Sequence, residues 1–110
     1  MAAFVKGDVV VLPFPYSDLS QSKRRPAVIV SVLTGSDIIL CQITTQMVKD
    51  FDSLPLTATD FLDGGLNQPS NIRPNKLFTA DTQIILYRAG RLRQDKLNEI
   101  AEKICGIVHR

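Results

Sequence analysis

Between Val9 and Tyr87 the chain is a succession of short apolar runs, rich in β-branched residues and each closed by proline, glycine or a polar turn. Such a pattern builds strands rather than long helices. Residues 9–12 follow a Lys-Gly-Asp turn and are expected to stop at the two prolines of LPFP. Residues 27–33 and 37–44 are joined by Thr34, Gly35 and Ser36, a hairpin connection with the glycine that tight turns require. Residues 54–57, 72–79 and 83–87 read as further strands, with Gly64 and Gly65 marking a turn. The period then changes. Leu97, Ile100, Ala101, Ile104, Cys105, Ile107 and Val108 recur at the spacing of an amphipathic helix, with Asp95 as its expected N-cap. Short strands at close spacing and one terminal helix predict a mainly β fold, a small strongly bent sheet or barrel with a C-terminal helix.

The 110 residues fit one domain, expected to span residues 1–110. Apolar residues make up 45% and charged residues 22%, which excludes the composition of a disordered chain. No apolar run approaches the ~18–20 residues that cross a bilayer. The start, MAAFVKGD, lacks the basic and apolar regions of a secretory leader, so a cytoplasmic protein with no membrane partner is expected. Cys41 and Cys105 form no C-x-x-C pair and read as two buried thiols. The net charge is only +2, but it is unevenly spread. Residues 49–63 set Lys49 against Asp50, Asp52, Asp60 and Asp63. Residues 73–96 set Arg73, Lys76, Arg88, Arg91, Arg93 and Lys96 against Asp81 and Asp95. If this second segment meets Lys23, Arg24 and Arg25 in space, the two form a basic face suited to a polyanion.

Three segments carry candidate chemistry. Residues 15–25, PYSDLSQSKRR, read as a surface loop leading into an Arg25-Pro26 strand entrance, where proline pushes the preceding residue into extended geometry. Side chains alternate along the strand, so Arg24 and Arg25 point apart and one of them enters a given pocket. An arginine fork donates two parallel hydrogen bonds to a phosphate and stays charged, although an Arg-Arg-Pro by itself is more often a solvated strand end. QITTQ, residues 42–46, ends the second hairpin strand. Counting outward from the turn sets residues 43–45 opposite 25–27, so a hydroxyl of Thr44 or Thr45 can stand beside the Arg25 guanidinium. NIRPNKLFTAD, residues 71–81, repeats the Arg-Pro entrance with Arg73, Asn75 and Lys76; a polar strand entrance is the bland alternative. Other chemistries find little support. The only histidine, His109, is one residue from the end of the sequence, and the paired aspartates lack metal-ligand spacing, so they read as charged loop. There is no P-loop or dinucleotide fingerprint, so no cofactor and no metal are expected.

KGDVVVLPFP, RRPAVIVS, ITTQ and NKLFTAD occur in an order and spacing that resemble the MazF/PemK family of toxin-antitoxin toxins, which are endoribonucleases. The resemblance runs from Lys6 to the terminal helix. It implies an SH3-like β-barrel with an appended helix, a homodimer whose groove binds single-stranded RNA, and a cognate acidic antitoxin as partner. It also implies sequence-selective, metal-independent cleavage of RNA through attack of a ribose 2′-hydroxyl on the adjacent phosphate. On the matching positions Arg25 and Thr44 are the catalytic pair, contacting and holding the scissile phosphate. The loop over residues 16–24 covers the site. Gln21, Lys23, Arg24, Gln46, Arg73, Asn75 and Lys76 are the implied RNA contacts. Arg73 and Asn75 fall where some members carry an arginine and an aspartate used in acid-base steps. Asn75 cannot serve as a base, the covering loop has no histidine, and Ser-Gln-Ser-Lys replaces a glycine-rich spacing, which leaves the general base open. Two further readings follow from these departures and from the fold: a non-catalytic relative that binds RNA or protein, and a toxin that poisons DNA gyrase.

Overall fold

The computed structural model describes residues 3–15, 22–46 and 50–110. Among the described residues seven strands form one antiparallel, curled sheet: β1 (Asp8–Pro15), β2 (Ser22–Val32), β3 (Asp37–Thr44), β4 (Leu54–Leu56), β5 (Phe61–Gly64), β6 (Ser70–Asp81) and β7 (Tyr87–Leu92). Their spatial order is β4-β6-β3-β2-β1-β7-β5, and helix α1 (Gln94–His109) closes the chain. The mainly β fold with a C-terminal helix is the one the sequence predicts.

Both faces of the central strands are buried, which is why they read as unbroken apolar runs instead of alternating ones. Val9, Val28, Cys41, Ile43, Leu54 and Ile72 pack on one face against Leu97 and Ile100 of α1. Val10, Leu12, Ala27, Ile29, Ile38 and Leu40 fill the other, bordered by Phe4, Phe14, Phe78 and Ile85. Phe14 and Phe78 meet edge to face with ring centroids 4.9 Å apart. The β2–β3 hairpin turns at Gly35, whose φ of 78° suits glycine.

Several expectations are corrected. β1 does not stop at its prolines: it pairs with β2 through Pro13 and Pro15. Pairing with β7 ends at Val11, so beyond it β1 has one open side where a missing N–H costs nothing. Residues 22–25 are strand rather than loop, and Arg25 sits inside β2 opposite Leu12. Pro26 is tolerated there because pairing with β3 begins only at Ala27. Arg73-Pro74 is likewise no entrance. β6 runs straight through it, but its pairing with β3 jumps from Leu77 to Arg73, leaving Pro74, Asn75 and Lys76 in a bulge.

Residues 61–64, read only as leading to a turn, form β5 against β7. The two approach so closely at Gly90 that a Cβ there would lie 2.6 Å from the Asp63 carbonyl oxygen. Residues 82–84 are a short 3-10 turn, and the last strand lies further on, at Tyr87–Leu92. The helix is capped by the backbone of Arg93, with Asp95 in its first turn rather than at the N-cap. Cys41 is buried as expected, whereas Cys105 is exposed.

The single basic face does not form. Arg73 and Lys76 lie on β6, while Arg88 and Arg91 lie on β7, with β3, β2 and β1 between them in the sheet. Asp8, 1% exposed, accepts Arg88 Nε at 3.1 Å and Arg91 Nε at 2.9 Å on one carboxylate oxygen. Its other oxygen takes the Val5 N–H at 2.9 Å. Arg88 also clamps Asp63 at 2.7 Å, so these charges brace β1, β7 and β5. Among the described residues no helix is long and apolar enough to cross a membrane.

Candidate functional site

Pairing of β2 with β3 sets Ala27 opposite Gln42. Pairing stops there; extended two residues outward, the same register would set Arg25 across from Thr44. On the far side of β3, Gln42 faces Arg73 and Thr44 faces Asn71. Directly opposed residues share a face, so β2, β3 and β6 bring Arg25, Thr44, Gln42, Arg73 and Asn71 to one side of the sheet. Alternation turns Arg24 toward the other face, yet at the end of the strand both arginines border one cleft, contrary to the expectation that one of them enters a given pocket.

The outer ends of β2 and β3 border a cleft of about 350 Å³ lined by Lys23, Arg24, Arg25, Pro26, Ile43, Thr45 and Gln46. Lys23 and Arg24 are exposed and Arg25 is half-buried. Of the two candidate hydroxyls, the exposed one at the cleft is that of Thr45. Thr44 is 5% exposed, and its Oγ1 accepts the Gln46 N–H at 3.2 Å. That bond fixes the backbone at the rim and leaves the hydroxyl its own hydrogen to donate. Gln46 is held from the other side as well, since its carbonyl accepts Asn71 Nδ2 at 3.3 Å.

A second cluster lies where the β6 bulge meets the segment before β4. Arg73 Nη2 stands 3.3 Å from Asp50 Oδ2, and Asn75 Nδ2 donates to the same oxygen at 2.8 Å. The Asp52 N–H, then the Asn75 amide, then the Arg73 guanidinium hold the Asp50 carboxyl below its ordinary range. Arg73 Nε is buried and has no partner among the described residues. Lys76, exposed on the bulge, lines a groove of about 470 Å³ together with Leu12, Phe14, Gln42 and Phe78.

The described RNA contacts implied by the sequence therefore fall into three places. Lys23, Arg24 and Gln46 share the cleft with Arg25; Arg73 and Asn75 share Asp50; Lys76 stands at the groove. Gln21 and most of the 16–24 loop lie outside the described residues. Sequence reading missed Asp50, Asn71 and Gln42. Asp50 gave no signal, because its partners lie 23 and 25 residues further along the chain. Among the described residues no group of three His, Cys, Asp or Glu side chains is placed to hold a metal ion.

A family model described as "PemK-like, MazF-like toxin of type II toxin-antitoxin system" matches residues 5–108. The chain belongs to this family. Solved structures similar to this MazF/PemK-like toxin include an endoribonuclease in complex with its cognate antitoxin from Mycobacterial species. That chain is 14% identical, with coverage of 97% of this chain and 96% of that one and a TM-score of 0.77. The Mycobacterium tuberculosis toxin MazF-mt6 is 21% identical, covering 93% and 96%, with a TM-score of 0.72. MazF from Deinococcus radiodurans is 17% identical over 100% of both chains, with a TM-score of 0.74. At these identities the likeness speaks for the fold, which is that of MazF. No curated protein matches the toxin in sequence.

Proposed function

We propose that this toxin is an endoribonuclease that cuts single-stranded RNA at the cleft between β2 and β3. The observation that carries the reading is the convergence of Lys23, Arg24, Arg25 and a threonine hydroxyl on one cleft. The substrate's 2′-hydroxyl gives up its proton to a base and attacks phosphorus, the bond to the 5′-oxygen breaks, and that oxygen takes a proton from an acid, leaving a cyclic phosphate and a 5′-hydroxyl. The scheme runs without a metal when side chains carry both the proton transfers and the charge stabilisation, which the EDTA test below reads. Negative charge grows on the phosphorane oxygens, and a fixed guanidinium from Arg25 stabilises it where it develops. A threonine hydroxyl donates to a phosphate oxygen: Thr45 stands exposed at the cleft, while Thr44, outside its lining, sets the rim through Gln46. Lys23 and Arg24 draw the strand in. The groove at Gln42, Lys76, Phe14 and Phe78 offers an apolar wall with polar groups to an unstacked base, the means by which single strands are read selectively.

The same reading includes a homodimer and a cognate acidic antitoxin, supported by the relatives: the Mycobacterial endoribonuclease was solved with its cognate antitoxin, and the Deinococcus radiodurans MazF with MazE. One observation favours a second reading, a relative that binds RNA without cutting it. The residue at position 75 is an amide, and it is already engaged with Asp50.

The test is purified toxin with single-stranded RNA in EDTA. Cutting at a restricted set of sites, with cyclic phosphate ends, is the expected result. Arg25→Ala should lower the rate at least about a hundredfold, the usual cost of removing one group that stabilises developing charge. Thr44→Val and Thr45→Val then identify which hydroxyl serves the phosphate. RNA bound but left whole selects the second reading, and RNA neither bound nor cut excludes both.

A further inference from the structure

Phe51 is 88% exposed, more than any other large apolar side chain among the described residues. A single exposed phenylalanine is ordinary on a surface; this one is distinguished by how firmly its backbone is held. Asp50 to Ser53 form a turn closed by the Ser53 N–H on the Asp50 carbonyl at 3.0 Å and the Ser53 hydroxyl on the same oxygen at 2.8 Å. The Asp52 N–H donates to Asp50 Oδ1 at 2.9 Å. The carboxylates on either side of the ring are both tied down, Asp50 by Arg73 and Asn75, and Asp52 by Arg110 Nη2 at 2.5 Å. β4 follows at once and pairs Leu54 with Ile72 and Pro55 with Asn71. Asn71 in turn faces Thr44, so the turn stands beside the strands that carry the proposed site.

We propose that Phe51 is a stacking platform for an unpaired base of the bound RNA strand. This rests on the endoribonuclease reading above and deepens it. An aromatic face stacks on any base, and a base swung out of a single strand needs such a surface. The two flanking carboxylates do not repel the strand, because Arg73 and Arg110 neutralise them. An apolar protein partner fits poorly here. Among the described residues, the groups bonded into this turn are Asp50, Asp52, Ser53, Arg73, Asn75 and Arg110, all polar, whereas protein contacts centre on continuous apolar patches. Amides and guanidinium groups are what base edges and phosphates meet.

The experiment uses a mixed-sequence single strand of 2′-O-methyl RNA carrying 2-aminopurine, which cannot be cut because the attacking hydroxyl is blocked. Wild-type toxin and Phe51→Trp should bind it and quench the fluorophore. Phe51→Ala and Phe51→Leu should lose the quenching and bind about tenfold more weakly, with unchanged melting temperature because the ring is solvent-exposed. Binding and quenching by Phe51→Ala equal to wild type overturn the platform while leaving the endoribonuclease reading intact. Phe51→Leu equal to wild type overturns it too, since leucine keeps apolar contact but has no aromatic face. So does loss of self-association in Phe51→Ala, read by sedimentation, with RNA binding intact: that result assigns the ring to a protein contact. A wild-type toxin that neither binds this strand nor cuts natural RNA overturns the platform and the endoribonuclease reading together.

Discussion

Arg73 Nη2 lies 3.3 Å from Asp50 Oδ2, so the guanidinium on β6 spends its charge on a carboxylate of its own chain. The β6 bulge makes this possible by swinging Asn75 onto the same oxygen. Asp50→Asn keeps the shape of the turn and removes the competing charge. Single-stranded RNA should then bind more tightly, and the salt dependence should steepen by roughly one phosphate contact, a slope change of about 0.7. Anisotropy titrations at several salt concentrations check it; an unchanged slope means that Arg73 meets no phosphate.

Asp8 should contribute to the fold's acid sensitivity. Burial alone would raise its carboxyl, but the Val5 N–H, then Arg91 and Arg88, outweigh it and hold the native value below the ordinary one. A lowered native pKa contributes stability in full above the unfolded value of ~3.9 and loses it as pH falls through the native value. Asp8→Asn should flatten the stability profile in that acid window. At neutral pH it should cost about 2 kcal/mol, moderated because Arg88 and Arg91 keep 35% and 38% of their side chains in solvent. Urea unfolding across pH reads both effects.

The two thiols should behave differently. Burial pushes the Cys41 thiol up to about 12, while Cys105 is exposed. A thiol reagent at mildly alkaline pH should label one cysteine in the folded protein and both in denaturant. The sign for stability follows. The unfolded thiol ionises from ~8.5 and the folded one does not, so Cys41 withdraws stability as pH rises from there towards about 12.

Gly90→Ala should cost about 1–3 kcal/mol, because the new Cβ would press on the Asp63 carbonyl oxygen and on Gly65 N at 2.9 Å. Those neighbours are backbone and cannot swing aside, so β5 must lift from β7. A lowered melting temperature with unchanged β2–β3 hairpin protection in hydrogen exchange would localise the damage to that edge.

What the sequence made legible was local. The hairpin over residues 27–44 announced itself through two apolar runs and a three-residue turn around Gly35, and counting from that turn brought residues 43–45 near 25–27 before any coordinates, without choosing between Thr44 and Thr45. The helix announced itself by its period. What stayed hidden depends on partners far along the chain. Pro13 and Pro15 look like terminators until β7 is seen to stop at Val11. Residues 61–64 have no strand signature of their own and are held by β7. Asp50 reads as a solvated loop charge until folding carries Arg73 and Asn75 to it. The basic count over residues 73–96 misled for the same reason: Arg88 and Arg91 are spent on Asp8.

Because β2 is buried on both faces, the arm between Gly35 and Arg25 acts as a ruler. An insertion or deletion of one residue within it would hand Arg25's side of the sheet to Arg24 while driving Val28 among the neighbours of Ala27 and Ile29. Changes of length ahead of Lys23 carry no such consequence. Relatives that diverge by gain and loss of residues should therefore vary freely before the arginine pair and keep a constant count between it and the hairpin tip.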